Sequence, residues 1–436
     1  MNNIWETLKT YKNILILGFG KEGKSTYSFI RENDKDRLLF IADLKNEIKN
    51  NELIKGDSNL EFITGELYLD ELSKYDCIIK TPGISLPEEL IETLGDKLTS
   101  QADLFIKHYK NQIIGVTGTK GKSTTASFIH HFLQISSCDS VLIGNIGIPP
   151  FALINKIKIN TIIVFEFSSH MLQKVSSSPH YAIFLNVFPE HLDYYKNFES
   201  YSDSKANIFK FQNKDDFLAV GEDVGAQKLV SKFGHQAKMI VSKNFSSFED
   251  NRFIKSKQMM QNIILGGEMA LLAGAKKDLF EKALETFENL PHRLQMIGIF
   301  RGITFVDDSI STIPESTLVA LDAYPETNIL ILGGKDRGIS YKNFSEELSK
   351  RADLKIFCLD EAGRKMYNLL IKNNPKNSNY FLFDNLEEIV KEAYKILKPT
   401  GGTVLLSPAA SSYTQFKNFE ERGEVFKNLV EKYGIK

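Results

Sequence analysis

The sequence predicts an α/β protein of three domains: N-terminal Rossmann-like, central P-loop ATP-binding, and C-terminal Rossmann-like. Three observations carry this. Short apolar runs alternate with helical patterns from end to end. Glycine-rich turns follow apolar runs at 18–23 and 118–121, the position where open parallel sheets hold ligands. The 436 residues also exceed what one hydrophobic core ordinarily serves. The expected boundaries are 1–105, 106–290 and 291–436.

Composition narrows the function classes. The chain is 42% hydrophobic and 25% charged, with a formal net charge of −1. That balance gives no electrostatic case for nucleic acid or a membrane surface as partner. No apolar run approaches the roughly 20 residues needed to span a bilayer, and Met1–Glu6 lacks the basic start and apolar stretch of a signal peptide. Cys77, Cys138 and Cys358 are scattered, without disulfide or metal spacing. The cytoplasm is the expected compartment.

In chain order, Asn13–Leu17 reads as a buried strand. It runs into Gly18-Phe19-Gly20-Lys21-Glu22-Gly23 and an amphipathic helix to Glu32. A second strand, Leu38–Ala42, ends in Asp43, about 20 residues beyond the glycines, where the dinucleotide fingerprint places its ribose-binding acid. A nucleotide-like group is expected on this domain, NAD being one candidate. A strand at Cys77–Lys80 then enters a turn at Thr81-Pro82-Gly83-Ile84.

The stretch Gly115–Thr124 is strand, glycine-rich turn, helix, with the helical pattern opening near Thr125. Backbone amides of Gly118, Thr119, Lys120 and Gly121 and the helix N-terminus would cradle phosphate. Lys122 would reach the terminal phosphates, and Ser123 or Thr124 would place a hydroxyl on Mg2+. Val116 stands where a strict GxxxxGK[ST] loop has its first glycine, so the loop is a shortened variant. It is read as an ATP site.

Further strands are expected at Val141–Ile143, leading to Asn145, and at Thr161–Phe165, ending in Glu166. A carboxylate at a strand end beside a phosphate loop suits a magnesium ligand. The strand Tyr181–Val187 precedes Glu190, His191 and Asp193, whose crowding favours a functional histidine. Lys205, on a helix around 201–208, reads by itself as a solvated helix lysine. A helix is expected over Ile263–Ala275, and Leu290–Leu294 is a linker. Strands at Ile303–Val306, Asn328–Leu332, Lys355–Leu359 and Thr403–Leu406 end in Asp307-Asp308-Ser309, a Gly333–Gly338 loop and a Ser407–Tyr413 segment. Arg293 and Asp308 sit where the third domain could reach the nucleotide. Three such domains with a phosphate loop in the middle suit an enzyme that joins two substrates using ATP.

In combination these motifs resemble the Mur ligases of peptidoglycan synthesis, on their glutamate-adding, MurD-type branch. The resemblance runs through GFGKEG at 18–23, TPGI at 81–84, TGTKGKST at 117–124, GNIG at 144–147 and EFSS at 166–169. It continues through NVFPEHLD at 186–193, LPHR at 290–293, DDS at 307–309 and LSPAASSYTQFKNFEERG at 406–423. It implies ATP and Mg2+, with UDP-N-acetylmuramoyl-L-alanine and glutamate as substrates, and a monomer. Lys122, His191 and Lys205 would be catalytic, and Ser123, Glu166, His191 and Lys205 would serve the metal, Lys205 as a carbamate. Gly20, Lys21, Glu22, Asp43, Gly83 and Asn145 would hold the UDP substrate in place of NAD. Asn262, Arg293 and Asp308 would join Gly118–Thr124 in binding ATP; Thr312, Arg337, Ser412 and Phe419 would hold glutamate.

Three positions depart from the family pattern. Ile310 and Arg337 stand where lysines are usual, and Leu265 where a second adenine-side asparagine is expected. Arginine keeps the charge but prefers a bidentate grip. The first two changes leave L-glutamate open beside D-glutamate. A folate-type polyglutamate ligase, a non-catalytic UDP-sugar-binding protein and a dehydrogenase remain as minor alternatives; the N-terminal GxGxxG domain argues against the first.

Overall fold

The computed structural model describes residues 3–146, 148–191, 194–241, 257–288, 290–398 and 400–434. Gly147 of the GNIG motif and Asp193 of the Glu190–His191–Asp193 group therefore lie outside the described residues.

Seventeen strands are described, in three sheets. β1 (Ile14–Leu17), β2 (Leu39–Asp43), β3 (Leu60–Thr64), β4 (Cys77–Lys80) and β5 (Leu98–Thr99) form a parallel sheet of order β3-β2-β1-β4-β5. β6 (Ile113–Thr117), β7 (Ser140–Gly144), β8 (Ile162–Glu166), β9 (Tyr181–Phe184), β10 (Phe217–Val220) and β11 (Lys238–Ile240) form a second, also parallel, of order β11-β10-β9-β6-β8-β7. The third has the order β12-β13-β17-β14-β15-β16. It comprises β12 (Gln295–Phe300), β13 (Ile303–Asp307), β14 (Thr327–Gly333), β15 (Lys355–Leu359), β16 (Tyr380–Phe383) and β17 (Gly402–Leu406). Only β12 is antiparallel to its neighbour there.

The central strands β1, β4 and β6 are buried at every residue, because helices cover both faces of a parallel sheet. That is why they read as mostly apolar runs, although β4 ends in the buried Lys80 and β6 in Thr117. β3, β12 and β16 are mostly half-buried edge strands with weak apolar contrast, and β5 has two residues; sequence reading did not find these four. The strand expected to reach Val187 stops at Phe184, because beyond it the chain turns to serve the phosphate loop: Asn186 Oδ1 accepts from Thr119 N–H at 3.0 Å. The helix expected near Thr125 starts at Lys122, and the one expected over 263–275 spans Lys257–Leu272.

The chain divides into two compact units. One runs to Thr286 and holds the first two sheets; the other begins at Phe287 and holds the third. Within the first unit Gln101 ties the two sheets together. Its Nε2 donates to the Glu22 carbonyl at 2.8 Å, and its Oε1 accepts from Phe151 N–H at 3.2 Å. Phe29 and Phe151 pack beside it with ring centroids 4.8 Å apart.

Candidate active site

The four residues between β6 and the helix Lys122–Ile135 form a tight loop. Gly121 has φ +84°, a conformation that strains any other residue, and a Cβ there would lie 2.3 Å from Asn262 Nδ2. Asn262 is thereby packed against the loop from the helix Lys257–Leu272. Two residues beyond β9, Asn186 fastens the loop with its side-chain amide. Asn186 Oδ1 accepts from the N–H groups of Thr119 and Lys120 at 3.0 and 2.9 Å, and its Nδ2 donates to the Lys120 carbonyl at 3.0 Å. Lys122 Nζ donates to the Thr119 carbonyl at 2.8 Å, holding the ammonium against the loop. Ser123 is buried in the first helical turn, where the helix end carries partial positive charge.

Charged groups gather around this loop. Glu166, at the end of β8, is fully buried; its Oε1 accepts from Asn145 Nδ2 at 3.0 Å. Its Oε2 is buried with no hydrogen-bond partner among the described residues. A buried carboxylate oxygen with no donor is costly unless a cation satisfies it, so this donor fits a metal ion. Lys205 is 2% exposed, which corrects the reading of it as a solvated helix lysine. Its Nζ donates to the Gly118 carbonyl at 2.9 Å and lies 4.9 Å from the centre of the Tyr201 ring. Burial, reinforced by the nearby charge of Lys122, holds the Lys205 amine well below its ordinary range. Thr119 Oγ1 and Tyr201 OH meet at 3.0 Å.

His191 has φ +56° and a half-exposed ring, 3.9 Å from Glu190 Oε2. Glu190 Oε1 accepts from Lys120 Nζ at 2.9 Å. Burial alone would raise the Glu190 pKa, but Lys120, Lys122 and His191 together outweigh it and hold the carboxyl below its ordinary value.

The first sheet presents its own ligand edge. Asp43 Oδ2 accepts from Phe19 N–H at 2.8 Å, tying the end of β2 to the glycine loop after β1. A Cβ on Gly23 would lie 2.1 Å from the Gly18 carbonyl, so helix and loop pack backbone to backbone. Gly20 caps the helix Lys21–Asn33, Glu22 lies in its first turn, and Gly83 lies in the turn after β4. Glu22 shares a narrow cleft with Lys80, Pro82, Ser100 and His170. Burial pushes Glu22 up to about 7, against the pull of Lys80, and pushes Lys80 down to about 8.

In the second unit the ends of β13, β14 and β17 lie together. Asp308 Oδ2 accepts from Ser407 Oγ at 2.8 Å and its Oδ1 from Leu294 N–H at 3.2 Å, next to Arg293. Burial pushes Asp308 up to about 7. His292 Nδ1 meets Asp307 Oδ2 at 2.7 Å, a hydrogen bond that raises the imidazole pKa. Lys335 N–H donates to the Ser411 carbonyl at 2.7 Å, bringing the loop that carries Arg337 beside Ser412. Arg337 itself is exposed. Ser309 Oγ donates to the Phe419 carbonyl at 2.8 Å, and Thr312 follows on the same turn.

The residues singled out from sequence thus fall into three groups. Gly118–Thr124, Asn145, Glu166, His191, Lys205 and Asn262 belong to the second sheet. Gly20, Lys21, Glu22, Asp43 and Gly83 belong to the first; Arg293, Asp308, Thr312, Arg337, Ser412 and Phe419 belong to the second unit. Sequence reading gave no role to Asn186, Tyr201, Lys80 or Arg422. Asn186 and Arg422 lay inside quoted motifs, but a side chain's partner 66 or 113 residues away leaves no local signal.

Comparison with known proteins follows this division. Residues 12–99 match the MurD-like N-terminal domain of Mur ligases, 116–282 the Mur ligase middle domain, and 292–410 the Mur ligase glutamate ligase domain. The UDP-N-acetylmuramoylalanine--D-glutamate ligase of Caldanaerobacter subterraneus is 29% identical, over 96% of this chain and 98% of that one. The enzyme of the same name from Acetivibrio thermocellus is 29% identical, over 99% and 98%. Among solved structures, the MurF ligase of Thermotoga maritima in complex with ADP shares the fold at a TM-score of 0.58 and 18% identity, over 96% of this chain and 95% of that one. E. coli FolC in complex with DHPP and ADP aligns at 0.55 and 12% identity, over 76% of this chain and 93% of that one.

Proposed function

The chain belongs to the Mur ligase family, and we propose from this that it joins glutamate to UDP-N-acetylmuramoyl-L-alanine at the expense of ATP. The observation that carries the reading is the buried Glu166 carboxylate with an unpartnered oxygen beside a phosphate loop and a buried lysine. In the first step an oxygen of the alanyl carboxylate attacks the γ-phosphorus of ATP, and ADP leaves. The glutamate amine then attacks the carbonyl carbon of the acyl phosphate; the C–O bond breaks, phosphate departs and the amine loses a proton.

The residues take their roles from this chemistry. The amides of Gly118–Gly121, the Lys122 ammonium, and Ser123 and Thr124 hold the ATP phosphates, with Asn262 on the adenosine side. Ser123, Glu166, His191 and Lys205 would hold Mg2+, which supplies charge neutralisation to the transferring phosphoryl group. Lys205 suits a carbamate. Burial lowers the Lys205 pKa and so favours the neutral amine that can attack carbon dioxide; with loss of a proton the product is an anion able to bind metal. The first sheet edge, with Gly20, Lys21, Glu22, Asp43, Gly83 and Asn145, takes the UDP substrate.

The second unit contributes Arg293 and Asp308 to ATP, and Thr312, Arg337, Ser412 and Phe419 to glutamate. We assign domains of 1–105, 106–290 and 291–436 to UDP substrate, ATP and glutamate. No described helix is long and apolar enough to cross a membrane, and the reading is of a monomer acting in the cytoplasm.

D-Glutamate is the favoured amino acid, as in the names of the curated relatives. L-Glutamate is the second reading, because Ile310 and Arg337 replace the usual lysines. Purified protein given the UDP substrate, ATP and Mg2+ is expected to release phosphate with D-glutamate and not with L-glutamate. The reverse preference would install the second reading, and no release with either would overturn both.

A further inference from the structure

We infer that Arg422 is a positioning residue of the amino-acid half of the reaction, holding together the three strand-end loops that carry the glutamate-side residues. This inference rests on the proposed ligase reading.

Arg422 is 2% exposed, near the start of the helix Phe419–Gly434. Its guanidinium makes four hydrogen bonds to three separate segments. Nε donates to Ser309 Oγ at 3.0 Å and Nη2 to the Ser309 carbonyl at 2.7 Å, after β13. Nη1 donates to the Gly333 carbonyl at 3.2 Å, at the end of β14, and to the Ala410 carbonyl at 3.1 Å, after β17. Ser309 Oγ passes the contact on to the Phe419 carbonyl. One planar cation therefore links the segments bearing Asp308 and Thr312, Arg337, Ser412, and Phe419.

The chemistry selects arginine. Only a planar fork of five donors can satisfy acceptors arriving from three directions; a lysine offers three donors from a single atom. Burial lowers the guanidinium pKa to about 10, so it stays charged at neutral pH, with Asp307, Asp360 and Asp308 as countercharge. The surroundings leave no slack. A Cβ on Gly334 would lie 2.1 Å from the Ser411 carbonyl and 3.0 Å from Arg422 Nη1, and one on Gly423 would lie 2.1 Å from His292 Nδ1.

The carbonyls it joins also lie at the carboxyl ends of parallel strands, the edge where open α/β sheets bind ligands. The clamp thus fixes the loops on which Thr312, Arg337, Ser412 and Phe419 are carried. Arg422 touches none of the substrates in this scheme; it acts through Arg337, Ser412 and Phe419.

The test is steady-state kinetics with D-glutamate varied against saturating ATP and UDP substrate, and then with ATP varied. Arg422→Ala is expected to raise KM for glutamate by up to about 100-fold, the cost of misplacing binding groups by about 1 Å, and KM for ATP, through Asp308 beside Ser309, by much less. Methylguanidinium in the assay should lower the glutamate KM again. Ser309→Ala, which removes one of the four contacts, should shift the same KM in the same direction by less.

If Arg422→Ala does not fold, Ser309→Ala decides: an unchanged glutamate KM would overturn the inference. A folded Arg422→Ala with unchanged glutamate KM, or with both KM values raised equally, would overturn it as well. Wild-type protein that releases no phosphate in response to glutamate would instead sink the ligase reading, and the inference with it.

Discussion

The phosphate-loop region of the first unit and the strand-end cluster of the second both bury charge, but they complete it differently. In the second unit Asp307, Asp308 and Arg422 are each hydrogen-bonded within the fold. In the first, among the described residues, Glu166 keeps a buried oxygen with no partner, and Lys205 has one hydrogen bond, to a backbone carbonyl. Internal satisfaction makes a scaffold; its lack marks groups whose partner arrives from outside. Buried charge near a strand end is therefore not by itself a sign of catalysis. What separates the two regions is whether the fold supplies the partners of the charged groups; among neutral ones Ser411 Oγ, in the second, also has none among the described residues.

The largest effect should follow from changing the unfinished carboxylate. Glu166→Gln is expected to lower turnover by about 1,000-fold, the scale of removing one electrostatic group from a transition state. Thermal stability should be unchanged or higher, because a charge without a full set of donors has gone. A clear fall in Tm would make Glu166 structural and erase the contrast.

Asp307→Asn tests the other side. It weakens the contact with His292 and the acceptor that serves Ser309 N–H at 2.9 Å. A stability loss of about 1.5–3 kcal/mol is expected, the range for hydrogen bonds to charged groups, read by denaturant unfolding. Unchanged stability would show that the network contributes nothing to the scaffold.

The smallest effect concerns pH. Burial raises Asp308 from 3.8 to about 7, so between these values the folded chain binds more protons than the unfolded one. Stability therefore falls as pH rises across that window. Asp308→Asn removes this contribution, so its Tm should decline less than the wild type's between about pH 4 and 7. Parallel curves would show that Asp308 does not titrate in this way.

Much of the first unit's site was legible because its signals are local. A glycine-rich turn between an apolar run and a helical pattern spans a dozen residues, and backbone geometry alone dictates its composition. Glu166 and Asn145 were found for the same reason, as polar residues at the ends of apolar strands. The role of Lys205 came only through resemblance, since helical periodicity cannot say that this face turns inward.

By itself the sequence determined three α/β sheets, the glycines at the first two ligand edges, and the motif set that places the chain among the Mur ligases. Those follow from strand and helix periods and from conformations that glycine favours, all short-range physics. Only the tertiary structure decided that Asn186 holds the phosphate loop, that Lys205 is buried, that β12 runs antiparallel, and that Arg422 gathers three loops. Each of these depends on which distant segments the strand order brings together. The partners of Arg422 lie 12 to 113 residues away in the chain, and no pattern along the sequence records that separation.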